Sequence, residues 1–297
     1  MDQAGGVWRM TVAMAVSGTI GMVVLMSGQT PLTVVLFRCV IGSIALLGLL
    51  AWRGGWVRLD RRAALWIGVG AVAIIGNWLC LFSAFARCGI AVATVVYHMQ
   101  PFILVLLAAL ADRETPERRK LLLMAPALAG VALTTGIDSG AMQSGLIAGV
   151  LLALAAAFLY AVATLAARKL AAYAPAQIAG LQLAIGALVL APMANFDMGN
   201  FSAATWSALL IVGLVHTGLV YNLMYGAFQR LRAASIASLS FIYPLVAVLA
   251  DLLVLDTRLG PLQWAGLMLI LASLAASQTR LSFRIRPSPS GSGGSSA

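Results

Sequence analysis

Apolar residues run through this chain in long blocks that contain almost no charge. A helix that crosses a bilayer needs about 20 such residues. Ten blocks of roughly that length follow one another: 8–27, 30–52, 63–87, 90–111, 119–137, 144–167, 175–195, 204–229, 233–254 and 260–280. Charges, glycines and prolines separate them. The thinnest separation lies between the third and fourth blocks, where it rests on Arg87, Cys88 and Gly89. The pattern predicts an all-α integral membrane protein of ten transmembrane helices.

Composition agrees with the pattern. Of 297 residues, 62% are hydrophobic and 9% charged, against roughly 25% charged in a soluble domain. A net charge of +10 would suggest a nucleic-acid partner in a soluble protein. Here the basic residues sit in short loops between apolar blocks, so they report topology, and no nucleic-acid partner is expected. With the N-terminus inside, sixteen basic residues fall on the inner side: Arg9, Arg53, Arg58, Arg61, Arg62, Arg113, Arg118, Arg119, Lys120, Arg168, Lys169, Arg230, Arg232, Arg280, Arg284 and Arg286. Arg87 and Arg258 fall on the outer side, and Arg38 lies within a block. So strong a positive-inside bias puts both termini in the cytoplasm of a multi-pass protein of the cell inner membrane. Trp8, Trp52, Trp56, Trp66, Trp206 and Trp264 fall near block ends, as interfacial belts require. Three scattered cysteines make neither a disulfide scaffold nor a zinc site. Residues 281–297 end in a Ser/Gly-rich run and are expected to form a disordered cytoplasmic tail.

The two halves of the chain resemble each other. Pro101 matches Pro244 at an offset of 143, where Phe85 meets Phe228 and Arg87 meets Arg230. Pro31 matches Pro175 and Gly42 matches Gly186 at an offset of 144. Residues 8–137 therefore form a first five-helix repeat and residues 144–280 a second. Five is odd, so the second copy enters the membrane upside down. Inverted repeats are an architecture of secondary transporters, whose solute sits near the midplane at the repeat interface.

Ten blocks in two repeats, Pro31 followed seven residues later by Arg38, and the Pro-centred fourth and ninth blocks resemble the drug/metabolite transporter superfamily in its EamA-type branch. Within it the chain looks similar to bacterial exporters of aromatic amino acids. The resemblance covers residues 8 to 280. It implies an exporter or exchanger of small metabolites with a cavity lined by the first, third, fourth, sixth, eighth and ninth spans. One departure is plain: Gln182 stands where the first repeat has Arg38.

Polar groups at membrane depth are costly and ask for a partner or a water-filled cavity. His98 and His216 are the two histidines of the chain. At 1.5 Å per residue they lie roughly 12 Å and 18 Å into their spans. Each either holds helices together through a hydrogen bond or touches solute or protons. Asn77, Trp78, Phe82 and Phe85 line the third block, with the three rings on one helical face. Thr217, Tyr221 and Tyr225 recur at every fourth residue of the eighth block, and Tyr160 and Thr164 pair in the sixth. Tyr97 precedes His98, and Tyr243 precedes Pro244. Pro101 and Pro244 each interrupt helical bonding and are candidate kinks or hinges. The candidate solute-binding residues are Asn77, Trp78, Phe82, Tyr97, His98, His216, Tyr221 and Tyr243. Such rings, amides and hydroxyls suit a neutral or aromatic amino acid. Arg38 could snorkel, pair with Asp251 or bind a solute carboxylate. A single buried basic residue argues against phosphorylated solutes.

No G-x-x-x-x-G-K-[ST] run is present, so the chain is not a self-contained ATP pump. No H-E-x-x-H, G-x-S-x-G or paired intramembrane carboxylates support an intramembrane enzyme. No metal or cofactor and no obligate protein partner is expected. A secondary transporter is the leading reading, and a facilitator or channel-like pathway for other small solutes is the alternative.

Overall fold

The computed structural model describes residues 3–111, 113, 118–135, 145–193, 198–254 and 260–278. The expectations for Arg258 and the tail at 281–297 fall outside the described residues, as do the side chains of Phe85 and Asp251.

The described chain is helical throughout: α1 (Gln3–Gly18), α2 (Ile20–Ser27), α3 (Pro31–Arg53), α4 (Arg61–Tyr97), α5 (Gln100–Ala111), α6 (Arg118–Thr135), α7 (Leu146–Lys169), α8 (Pro175–Leu190), α9 (Ala203–Gly213), α10 (Val220–Phe228), α11 (Ala233–Leu239), α12 (Ile242–Val254) and α13 (Pro261–Gln278). Six ranges are long and apolar enough to cross a membrane: Pro31–Arg53, Arg61–Ala84, Ala93–Ala111, Leu146–Lys169, Pro175–Met193 and Ala203–Phe228. Leu121–Leu133, Ala233–Ala247 and Pro261–Ser273 are shorter apolar helices.

Local chemistry sets the helix starts. The matched prolines Pro31 and Pro175 each occupy the first turn of a helix, where a missing N–H costs nothing. Thr30, Asp60 and Ser202 cap α3, α4 and α9 by accepting from the backbone N–H of Thr33, Ala63 and Thr205. Gly54, at φ +64°, closes α3 in the left-handed conformation.

Two boundaries shift, while the third and fourth spans stay distinct at Arg61–Ala84 and Ala93–Ala111. Helical bonding continues across Arg87–Gly89, where the sequence suggested a gap. Yet Arg61–Tyr97 is not a straight rod. A straight helix would hold residues 77 and 97 about 30 Å apart, whereas Asn77 Nδ2 donates to Tyr97 Oη at 3.3 Å. The chain therefore doubles back within this stretch and makes an antiparallel pair, against which α7 packs. The seventh block also ends early: α8 stops at Leu190, and a 3-10 turn, Ala191–Met193, takes over.

Packing repeats between the halves. The stretch 61–97 packs on α7, as α10 packs on α1; α5 packs on α7, as α12 packs on α1. Two contacts map onto themselves when the halves are exchanged: α3 on α8 and α6 on α13. Side chains follow suit. A Cβ on Gly42 would meet Leu183 and Thr217; one on Gly186 would meet Cys39 and Ile75. Leu183 is the residue 144 beyond Cys39. Both glycines let α3 and α8 approach each other closely.

The main core joins residues of α1, α3, α4, α7, α8 and α10. Large apolar side chains such as Ile44, Val72, Leu122, Ile147 and Leu188 point outward. Arg38, Asn77, His98, Gln100, Gln182 and His216 are buried. Apolar outside and polar inside is the arrangement a bilayer selects.

Candidate functional site

Helix irregularities gather around the buried polar residues. The fourth block breaks at His98 and Met99 before α5 restarts with Pro101 as its second residue. The ninth breaks at Ser240 and Phe241 before Pro244. Each break lies just upstream of its proline, as the missing N–H and the ring clash with the preceding turn require. A third irregularity has no counterpart in the first half: Leu214–Leu219 forms a π-helical turn between α9 and α10. Such turns often occur at functional sites.

The residues that meet at the centre are related by the repeat. Trp78 and Tyr221 are 143 residues apart, and their rings pack edge to face at 5.8 Å. His98 and Phe241 are also 143 apart, with ring centroids at 6.2 Å. A residue can touch its own repeat mate only beside the axis that relates the halves. The cluster thus sits at the repeat interface.

Around that axis two groups assemble. In one, Asn77 donates to Tyr97 Oη at 3.3 Å and to the carbonyl of Ala156 at 2.7 Å. Tyr97 packs on Tyr160 at 6.2 Å and on His98 at 6.1 Å. Tyr243 faces His98 at 6.0 Å. Its Nδ1 lies 2.7 Å from the Thr94 carbonyl, one turn back, so that nitrogen carries the proton. In the other group, Arg38 Nε donates to Thr217 Oγ1 at 3.1 Å. The guanidinium carbon sits 4.2 Å above the Trp78 ring, in cation–π range. Tyr221 touches both Arg38 and Trp78. The π turn lets Thr217 give its own hydroxyl proton to the carbonyl of Val212, five residues back, at 2.8 Å. Its oxygen is thereby left to accept from Arg38.

His216 binds a different partner: its Nε2 lies 3.0 Å from Thr19 Oγ1, at the α1–α2 junction. Phe82 packs against the main core. Asn77, Trp78, Tyr97, His98, Tyr221 and Tyr243 therefore come together, and Phe82 and His216 stand at the margin. Two central residues stood outside the solute-binding set drawn from the sequence, although Arg38 was weighed there as a carboxylate partner. Arg38 is 5% exposed, and Gln182 Oε1 accepts from Tyr225 Oη at 2.5 Å. Their signal was the single charged position in a block, matched by an amide at the same offset. Among the described residues no three His, Cys, Asp or Glu side chains gather as metal ligands.

These features define a polytopic helical membrane protein of two like halves with a polar, aromatic centre. The chain belongs to the EamA-like transporter family, whose profile matches residues 5–136 and again residues 147–277. An uncharacterised transporter of Bacillus subtilis (strain 168), YxxF, is 26% identical over 165 residues. That alignment spans 53% of this chain and 53% of the relative, about half the length of each. A solved crystal structure superposes with a TM-score of 0.82 at 20% identity, covering 92% of this chain and 97% of the other. That likeness concerns the fold.

Proposed function

We propose that the protein is a secondary transporter that exports or exchanges small neutral or aromatic amino acids by alternating access. In this reading ten spans form two inverted repeats, 8–137 and 144–280, in the cell inner membrane, with both termini cytoplasmic. Asn77, Trp78, Tyr97, His98, Tyr221 and Tyr243 line the pathway, Phe82 and His216 flank it, and Pro101 and Pro244 serve as hinges.

One observation carries the reading: the buried rings and amides lie on the axis between two like halves. A solute held there can be presented to either side as the halves exchange conformations. The mirrored breaks before Pro101 and Pro244 supply places where a helix can bend without losing further bonds.

Purified protein in liposomes should exchange labelled phenylalanine or alanine for internal amino acid, saturably and at carrier rates. Trp78→Ala and Tyr97→Phe should each lower the rate at least tenfold or change solute preference while the protein still folds. Absence of movement for the whole amino-acid panel rejects the reading, and loss of folded protein assigns both residues to packing.

A further inference from the structure

We infer that Arg38 is the anchor for the anionic group of the solute, and that this group is a carboxylate. The inference rests on the proposal that the chain carries a small solute between its halves.

A guanidinium away from water must be compensated. Arg38 is 5% exposed, and its described partners are the Thr217 hydroxyl, the Trp78 ring and the Tyr221 hydroxyl. All three are neutral. Among the described residues no carboxylate lies within ion-pair distance of it, so its charge is oriented but not neutralised. Thr217 takes Nε alone. A guanidinium held over a ring keeps its in-plane donors for a forked acceptor, and a carboxylate fits that fork with two parallel bonds.

The repeat supplies an independent argument. Gln182 occupies the matching place on α8 and is buried as deeply. It is accommodated through a bond from Tyr225. The scaffold therefore accepts a neutral side chain at this position and does not need a cation for packing. The cation stands in the first half and meets, from the other half, the π turn and its proton-committed Thr217. The Tyr221 ring packs on Trp78, the ring that Arg38 covers, and its hydroxyl can serve a remaining lone pair of a bound carboxylate. One guanidinium suits a monoanion; a phosphate would call for a second.

The test compares ligands that differ in one group, using the full chain in detergent and its thermal unfolding midpoint. The probes are L-phenylalanine, 3-phenylpropionate, which lacks the amine, and phenethylamine, which lacks the carboxylate. L-alanine and pyruvate extend the series to small carboxylates. With wild-type protein the carboxylates should raise the midpoint and phenethylamine should not. Arg38→Gln should weaken carboxylate binding at least tenfold and erase that difference. Arg38→Lys should retain part of it. If Arg38→Gln does not fold, the wild-type ligand series decides alone. Equal stabilisation by phenethylamine and phenylalanine overturns the assignment while leaving amino-acid transport standing. Protection by pyruvate but not by any amino acid supports Arg38 as anchor and rejects the amino-acid reading. No protection by any carboxylate overturns the assignment.

Discussion

At matching places in the two halves, 144 residues apart, stand Arg38 and Gln182. Each is buried on one of the two helices that cross at the centre. Arg38 reaches Thr217, on the eighth block of the other half. Gln182 stays within its own half and bonds Tyr225. Tyr225 lies 143 residues beyond Phe82, which has no hydroxyl to offer. So the second half holds a neutral pair, with Gln182 Nε2 left unpartnered, where the first half holds a cation and a ring without a hydroxyl. The scaffold is nearly symmetric, and the chemistry is not. A symmetric scaffold lets two conformations be close in energy, whereas a solute with unlike ends needs unlike groups around it.

The largest expected effect concerns two glycines at an offset of 143, Gly70 and Gly213. A Cβ on Gly213 would lie 2.5 Å from Ile41 Cβ, the stem of its side chain. A Cβ on Gly70 would meet the amide end of Gln182, which can swing away. Gly213→Ala should cost about 2 kcal/mol through overpacking, and Gly70→Ala less than about 1 kcal/mol by the same principle. Chemical unfolding in mixed micelles measures both. Equal losses would mean that the two crossings are equally rigid.

Next comes the neutral pair. Tyr225→Phe would make the second half resemble the first at Phe82 and would strand the buried Gln182 oxygen. A loss of about 1.5 kcal/mol is expected, read by the same unfolding assay. No loss would show that the amide finds another donor.

The smallest effect concerns the starts of α3 and α8. Thr30 caps α3 with its hydroxyl, while Ala174 offers α8 no side-chain cap. Thr30→Ala should cost about 1 kcal/mol, and Ala174→Thr should gain up to about 1 kcal/mol. A neutral Ala174→Thr would show that solvent already satisfies the first turn of α8.

Much of this architecture was readable from the order of residues. The blocks at 30–52, 119–137 and 260–280 correspond to α3, α6 and α13 to within a few residues, because a bilayer permits few alternatives to a long apolar helix. The Pro31–Pro175 and Pro101–Pro244 matches marked helix starts and breaks, because proline acts on its own turn. The site was partly readable. Trp78 and Tyr221 were both candidates, but nothing local indicated that they face each other across the repeat axis. The family resemblance implied a cavity without the second span, whereas α3 brings Arg38 to the centre. The π turn was not readable either. A regular four-residue spacing of Thr217, Tyr221 and Tyr225 reads as plain α-helix, and the extra residue is stabilised by where Thr217 bonds.

The sequence alone determined the solvent, the helical class and the existence of two like halves. Those properties follow from hydropathy, charge placement and proline offset, which each residue carries with it wherever the chain folds. The tertiary structure decided which polar groups meet. It doubled 61–97 back on itself, set Trp78 against Tyr221, and placed Arg38 beside neutral partners. Those outcomes depend on contacts such as that of Arg38 with Thr217, 179 positions apart. At such separations the geometry comes from how helices pack, and no local pattern encodes it.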